Sequence, residues 1–95
     1  MKVVINDCYG GFSVSKEVYE AMGKEWDGFG YDFDDNRTDA ELIAAIEKIG
    51  CKQASGSCAN LTIVDIPDNA TDWEITQYDG AEEVVCVVNG KLIHL

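Results

Sequence analysis

Hydrophobic and polar positions alternate in two rhythms along the chain, helical in its first half and strand-like in its second. Val3, Val4 and Ile5 form a short apolar run, flanked by Lys2 and Asn6, that reads as a strand. Gly10-Gly11 then break the pattern. Ser13 or Ser15 is placed to cap a helix in which Val14, Val18 and Met22 share one face. Glu17 lies in its first turn and Gly23 is its stop. A second helix is announced by Thr38-Asp39-Ala40-Glu41, a capping box in which the Thr38 hydroxyl and Glu41 satisfy early backbone N–H groups. Leu42, Ala45, Ile46 and Ile49 follow at helical spacing, and Gly50 ends the element. The small, polar stretch CKQASGSCAN reads as a loop. From Leu61 the period becomes that of strands: Leu61–Ile66 up to Pro67, Trp73–Tyr78 up to the Asp79-Gly80 turn, and Glu82–Val88. Asn89-Gly90 then turns the chain into Lys91–Leu95 as a hairpin. The pattern predicts one domain over residues 1–95, of α+β class: an antiparallel sheet of four to five strands with two helices packed on one face.

Residues 24–37 follow neither rhythm. Trp26, Phe29, Tyr31 and Phe33 are interleaved with Asp27, Asp32 and Asp34, and so many aromatics bury enough area to keep the segment ordered. Charge sharpens the picture. The chain carries 18 Asp and Glu against 7 Lys and Arg, a formal net charge of −11. Between Glu25 and Glu41 seven acids face one cation, Arg37, and from Gln53 to Gly90 seven acids face none. Such a balance argues against direct nucleic-acid binding, which requires a basic footprint, and against docking on anionic membrane. No apolar run is long enough to span a bilayer, and Met1-Lys2 leads straight into the first strand without signal-peptide architecture. A soluble, cytoplasmic protein is expected. If the two acidic stretches adjoin, they form a field that attracts a basic protein partner.

Candidate chemistry is sparse. The glycine turn before the first helix has some character of an anion or nucleotide cradle, built from Tyr9, Gly10, Gly11 and Ser13 with Lys16 and Arg37 as cations. It matches neither a Walker nor a dinucleotide fingerprint. Asp32, Asp34 and Asn36 open like a calcium-binding loop, but Arg37 stands where glycine is needed and Ile43 where a bidentate Glu is required. No metal or cofactor is therefore assigned. Cys8, Cys51, Cys58 and Cys86 lack the paired spacing of a zinc site and read as reduced, mostly buried thiols. His94 is the only histidine. A Cys8–His94 dyad has no local signature, and no enzyme class is indicated.

The stretches MKVVINDCYGGFSVSKEVYE, RTDAELIAAIEKIG and LTIVDIPDNATDWEITQYDGAEEV resemble a group of small proteins of tailed phages and prophages. CYGGFSVS and the segment from Trp73 to Gly80 carry most of the likeness, while Trp26–Asp35 and the terminal hairpin depart from it. The resemblance implies a phage origin and a host cytoplasm as workplace, and carries over no catalytic or binding residue. The expectation is a non-enzymatic inhibitor of a host defence system, anti-CRISPR or anti-restriction, that mimics nucleic acid and meets a basic host nucleic-acid-binding protein. Its expected contact residues are Trp26, Asp27, Phe29, Tyr31, Asp32, Asp34, Asp35 and Asp39. The alternatives are a protein that sequesters a nucleotide at the Gly10-Gly11 turn, and a structural or regulatory phage homodimer joined through its terminal strand.

Overall fold

Strand β1 (Lys2–Asn6) lacks an apolar–polar alternation because both of its faces are buried. In the computed structural model, which describes all 95 residues, Val4 points into a core made by the helices. Val3 and Ile5 point the opposite way, toward Val84 and Cys86. β1 pairs antiparallel with β2 (Leu61–Asp65), in a register running from Lys2 opposite Asp65 to Asn6 opposite Leu61. Three further strands, β3 (Ala70–Tyr78), β4 (Ala81–Val88) and β5 (Lys91–His94), form an antiparallel sheet in that order. The molecule thus has three layers: helices, the two-stranded sheet, and the three-stranded sheet against its far face.

The α+β class and the five antiparallel strands match the pattern of the sequence. The strands are divided between two sheets, however, where one was expected. After β2 the pairing ends at Ile66, whose N–H donates to the Met1 carbonyl and whose carbonyl accepts the Met1 ammonium, and Pro67 has no N–H with which to continue. The chain turns through residues 67–69 and re-enters as β3 in the next layer, so Val84 and Cys86 face β1 instead of pairing beside it.

Helix α1 (Lys16–Met22) ends at Gly23 as expected. Its cap residue is Ser15, whose hydroxyl donates to the Gln53 carbonyl, and Val14 lies before the helix, bridged to Ser55. Helix α2 (Ala40–Ile49) buries Leu42, Ala45 and Ile46 on the expected face, with Ile49 packed at its margin. The capping box is displaced. Asp39, not Thr38, is the N-cap, and its carboxylate accepts the Leu42 N–H at 2.8 Å. Glu41 consequently falls at the second helical position and cannot reach back. Part of the expected loop after Gly50 is helical, as α3 (Cys51–Ala54), closed by the Ser55 hydroxyl donating to the Cys51 carbonyl at 2.7 Å. No helix is long and apolar enough to cross a membrane.

Candidate partner-binding surface

The connection between α1 and α2 has no regular secondary structure, yet it is tied down at several points. Asp27 is the first fastening. Its carboxylate accepts the backbone N–H groups of Gly30 at 2.6 Å, Phe29 at 2.8 Å and Tyr31 at 3.2 Å. Those bonds, the Gly30 amide foremost, depress the Asp27 pKa from 3.8 to about 2. The Gly30 carbonyl then accepts the Val14 N–H at 3.0 Å, tying the turn to the chain before α1. Gly30 has φ +84°, and a Cβ on it would lie 2.0 Å from the Val14 carbonyl oxygen, so only glycine fits.

The four aromatics of the segment divide two and two. Phe33 is buried, and Trp26 meets the buried Tyr19 ring edge-on at 5.0 Å between centroids. Trp26 is thus half-buried, packed against the core while still lining one groove with Phe29 and Tyr31. Phe29 and Tyr31 are turned outward, 71% and 60% exposed, and their rings lie parallel within 4° at 6.0 Å.

Most of the expected acidic contacts also have partners within the fold. Asp32 accepts the Tyr19 hydroxyl at 3.0 Å, and burial, followed by this acceptor, raises the tyrosine pKa above its usual range. Asp34 accepts Arg37 Nη2 at 3.0 Å, and Asp39 caps α2. Asp35 makes no ion pair or side-chain hydrogen bond and is exposed. Asp32, Asp34 and Asp39 therefore serve three different partners and do not converge on a common point.

Arg37 was expected among anion-binding cations; it is committed elsewhere. Its guanidinium is 8% exposed and lies 3.6 Å from the Phe12 ring centroid. It donates to both oxygens of Glu82, at 2.7 and 2.8 Å, and to Asp34. Burial disfavours the Arg37 charge, but Glu82 and Asp34 outweigh it and raise the pKa. The same Glu82 accepts the Asn6 N–H at 2.7 Å.

The remaining parts of the expected cradle do not assemble into one. Gly10 is packed against the Cys58 carbonyl, Ser13 is buried, and Tyr9 projects into solvent, 73% exposed. Lys16 lines a separate groove with Phe29, Tyr31 and Ser57. What holds the glycine turn is the fully buried Asn6, which sequence reasoning missed. Its amide donates to the Cys8 and Gly80 carbonyls, each at 2.8 Å, and accepts the Asn60 N–H at 2.8 Å. Cys8 and Cys51 are half-buried, Cys86 is buried and Cys58 is exposed; all four are free thiols. The Cys8 Sγ lies within reach of two acceptors for its single proton, Asn6 Oδ1 and the Cys58 carbonyl, whereas His94 contacts Glu83, so the two do not form a dyad.

Asp34 and Asp35 line a shallow groove together with Glu74 of β3, so the two acidic stretches meet there. Glu74 lies opposite Val85, Asp72 opposite Val87, and Thr76 opposite Glu83. Side chains alternate along strands, and Trp73, Ile75, Val84 and Cys86 take the inner face, which leaves Asp72, Glu74 and Glu83 on the outer one together with Val85 and Val87. No protein-family model, curated protein or solved structure matches the chain, so the function of this surface is read from its residues.

Proposed function

We propose that this chain is a non-enzymatic interaction protein whose acidic face engages a basic, nucleic-acid-binding protein. The likeness to tailed-phage proteins suggests that this partner belongs to a host antiviral system in the host cytoplasm, making the chain an anti-CRISPR or anti-restriction inhibitor. One observation carries the reading: Asp34 and Asp35 share a groove with Glu74, at the border of an outer sheet face that carries Asp72 and Glu83 among Val85, Val87 and Leu92. Arg37 lines the same groove, but its charge is matched by Glu82 and Asp34, leaving Asp35 and Glu74 without a cation. Lys16, Lys48 and Lys52 lie on the three helices, whereas the three-stranded sheet sets Lys91 alone against Asp72, Glu74, Glu82 and Glu83. The two layers are thus unequally charged, an arrangement that orients an approaching basic surface.

Affinity capture from the host, with the captured protein identified by mass spectrometry, tests the proposal. The captured protein should be basic, released by salt, displaced by duplex DNA, and lost with the Asp35→Asn/Asp72→Asn/Glu74→Gln variant. Binding indifferent to both salt and those substitutions would overturn it. A second reading, the homodimer, has one observation in its favour: β5 is an edge strand with Leu92 62% exposed. The net charge of −11 on each copy opposes that pairing. Light scattering decides between monomer and dimer.

A further inference from the structure

We propose that the stacked Phe29–Tyr31 pair is a docking plate for an arginine side chain of the basic partner, an assignment that rests on the acidic-face reading above. The two rings stack on each other yet stay mostly exposed, and displaying them to water is unfavourable. The fold nevertheless fixes them there. The Asp27 carboxylate holds the backbone of both ring-bearing residues, and the Val14 N–H holds the glycine between them. A plate held from behind loses little freedom on binding, which is what a recognition element requires.

Charge selects the occupant. Glu25, Asp27, Asp32, Asp34 and Asp35 surround the pair in sequence, and no Lys or Arg occurs from Glu25 to Asn36. The two cations bracketing this tract are engaged, Lys24 over the Phe33 ring and Arg37 with Glu82. Lys16 is the one charged side chain lining the groove that holds the two rings, and the exposed Asp27 and Asp32 flank the rings in sequence. Aromatic faces themselves attract cations. Between the two cationic side chains, arginine fits better: its guanidinium is planar, stacks on rings, and sheds water more readily than an ammonium. The exposed Asp27 carboxylate, bonded to the backbone of both ring-bearing residues, supplies negative charge at the plate itself.

Fluorescence anisotropy with labelled hexa-arginine, hexa-lysine and oligothymidine tests this, using the full chain and a Phe29→Leu/Tyr31→Leu variant. Both side chains are exposed, and far-ultraviolet circular dichroism reports whether the variant keeps its fold. The native chain should prefer hexa-arginine over hexa-lysine by about five- to tenfold. The variant should bind both peptides nearly equally, with an unchanged salt dependence. Equal binding by the native chain, or a preference that survives in the variant, overturns the arginine plate and leaves the acidic face standing. Failure to bind either peptide overturns both proposals. Preferential binding of oligothymidine overturns the plate in favour of a base-stacking surface.

Discussion

Glu82 occupies an inward-facing position of β4, on the same side as Val84 and Cys86, where a carboxylate survives only because Arg37 reaches it with both terminal nitrogens. Removing one member of such a pair leaves a buried charge uncompensated, and Arg37→Met should destabilise the fold by about 3–5 kcal/mol. That is a large share of the roughly 5–15 kcal/mol that holds a small domain together. Urea unfolding measures it. The double variant Arg37→Met/Glu82→Leu should recover much of the loss, keeping a deficit of about 1–3 kcal/mol because the Asn6 N–H loses its acceptor. An unchanged urea midpoint in Arg37→Met would show that the guanidinium is not the partner of Glu82. Part of this was legible. The strand period alone places Glu82 among inward residues, a position that demands a cation, and Arg37 is the one cation of the acidic tract. Asn6 was harder to read, since it looks like the polar end of an apolar run until its four bonding groups are seen joined to residues near 8, 60 and 80. Asp27 makes a pH prediction. Its carboxyl pKa falls from 3.8 to about 2 on folding, so its contribution is fully present above pH 3.8 and is lost as pH falls through about 2. Carboxyl NMR should find the Asp27 midpoint near the lower value, and a midpoint near 3.8 would mean that its N–H cradle is not formed.

Elements set by a repeating pattern were readable, and elements set by a single local bond were not. The face of α2 follows from apolar spacing, whereas its start shifts by one residue because Asp39 takes the cap in place of Thr38. α3 exists through bonds made to Gly50, Cys51 and Ser55, and its four residues carry no period to detect. In the aromatic segment a strand-like alternation would put Phe29, Tyr31 and Phe33 on one side. The turn that Asp27 closes with Gly30 breaks that alternation, sending Phe33 inward and the other two outward. The glycine turn after β1 gives a sharper test of element packing. A Cβ on Gly10 would lie 1.7 Å from the Cys58 carbonyl oxygen, a backbone atom with no freedom to retreat. Gly10→Ala should therefore cost about 3 kcal/mol and lower the melting temperature by more than about 10 °C. A melting temperature within a degree or two of the native value would show that the turn and the Cys58 segment are not in register.

At the scale of the whole molecule, the two apolar cores share one strand. Val4 belongs to the helical core, and Val3 and Ile5 to the core between the sheets, so β1 cannot leave one without leaving the other. The buried Arg37–Glu82 pair adds a second tie, joining the α1–α2 connection to β4. Each core also has its own reporter, since Trp26 packs against the helical cluster and Trp73 against the sheet cluster. The expected consequence is cooperative unfolding of both layers as one unit. Ile46→Ala, a truncation confined to the helical core, should cost about 2–5 kcal/mol. Its shift in urea midpoint should be the same whether followed by Trp26 in a Trp73→Phe background or by Trp73 in a Trp26→Phe background. A Trp73 transition left in place while the Trp26 transition moves would mean that the three-stranded sheet holds itself together. β1 would then be a strand lying between two independent cores, and the acidic outer face would keep its shape when the helices, with the aromatic plate beside them, had already come apart.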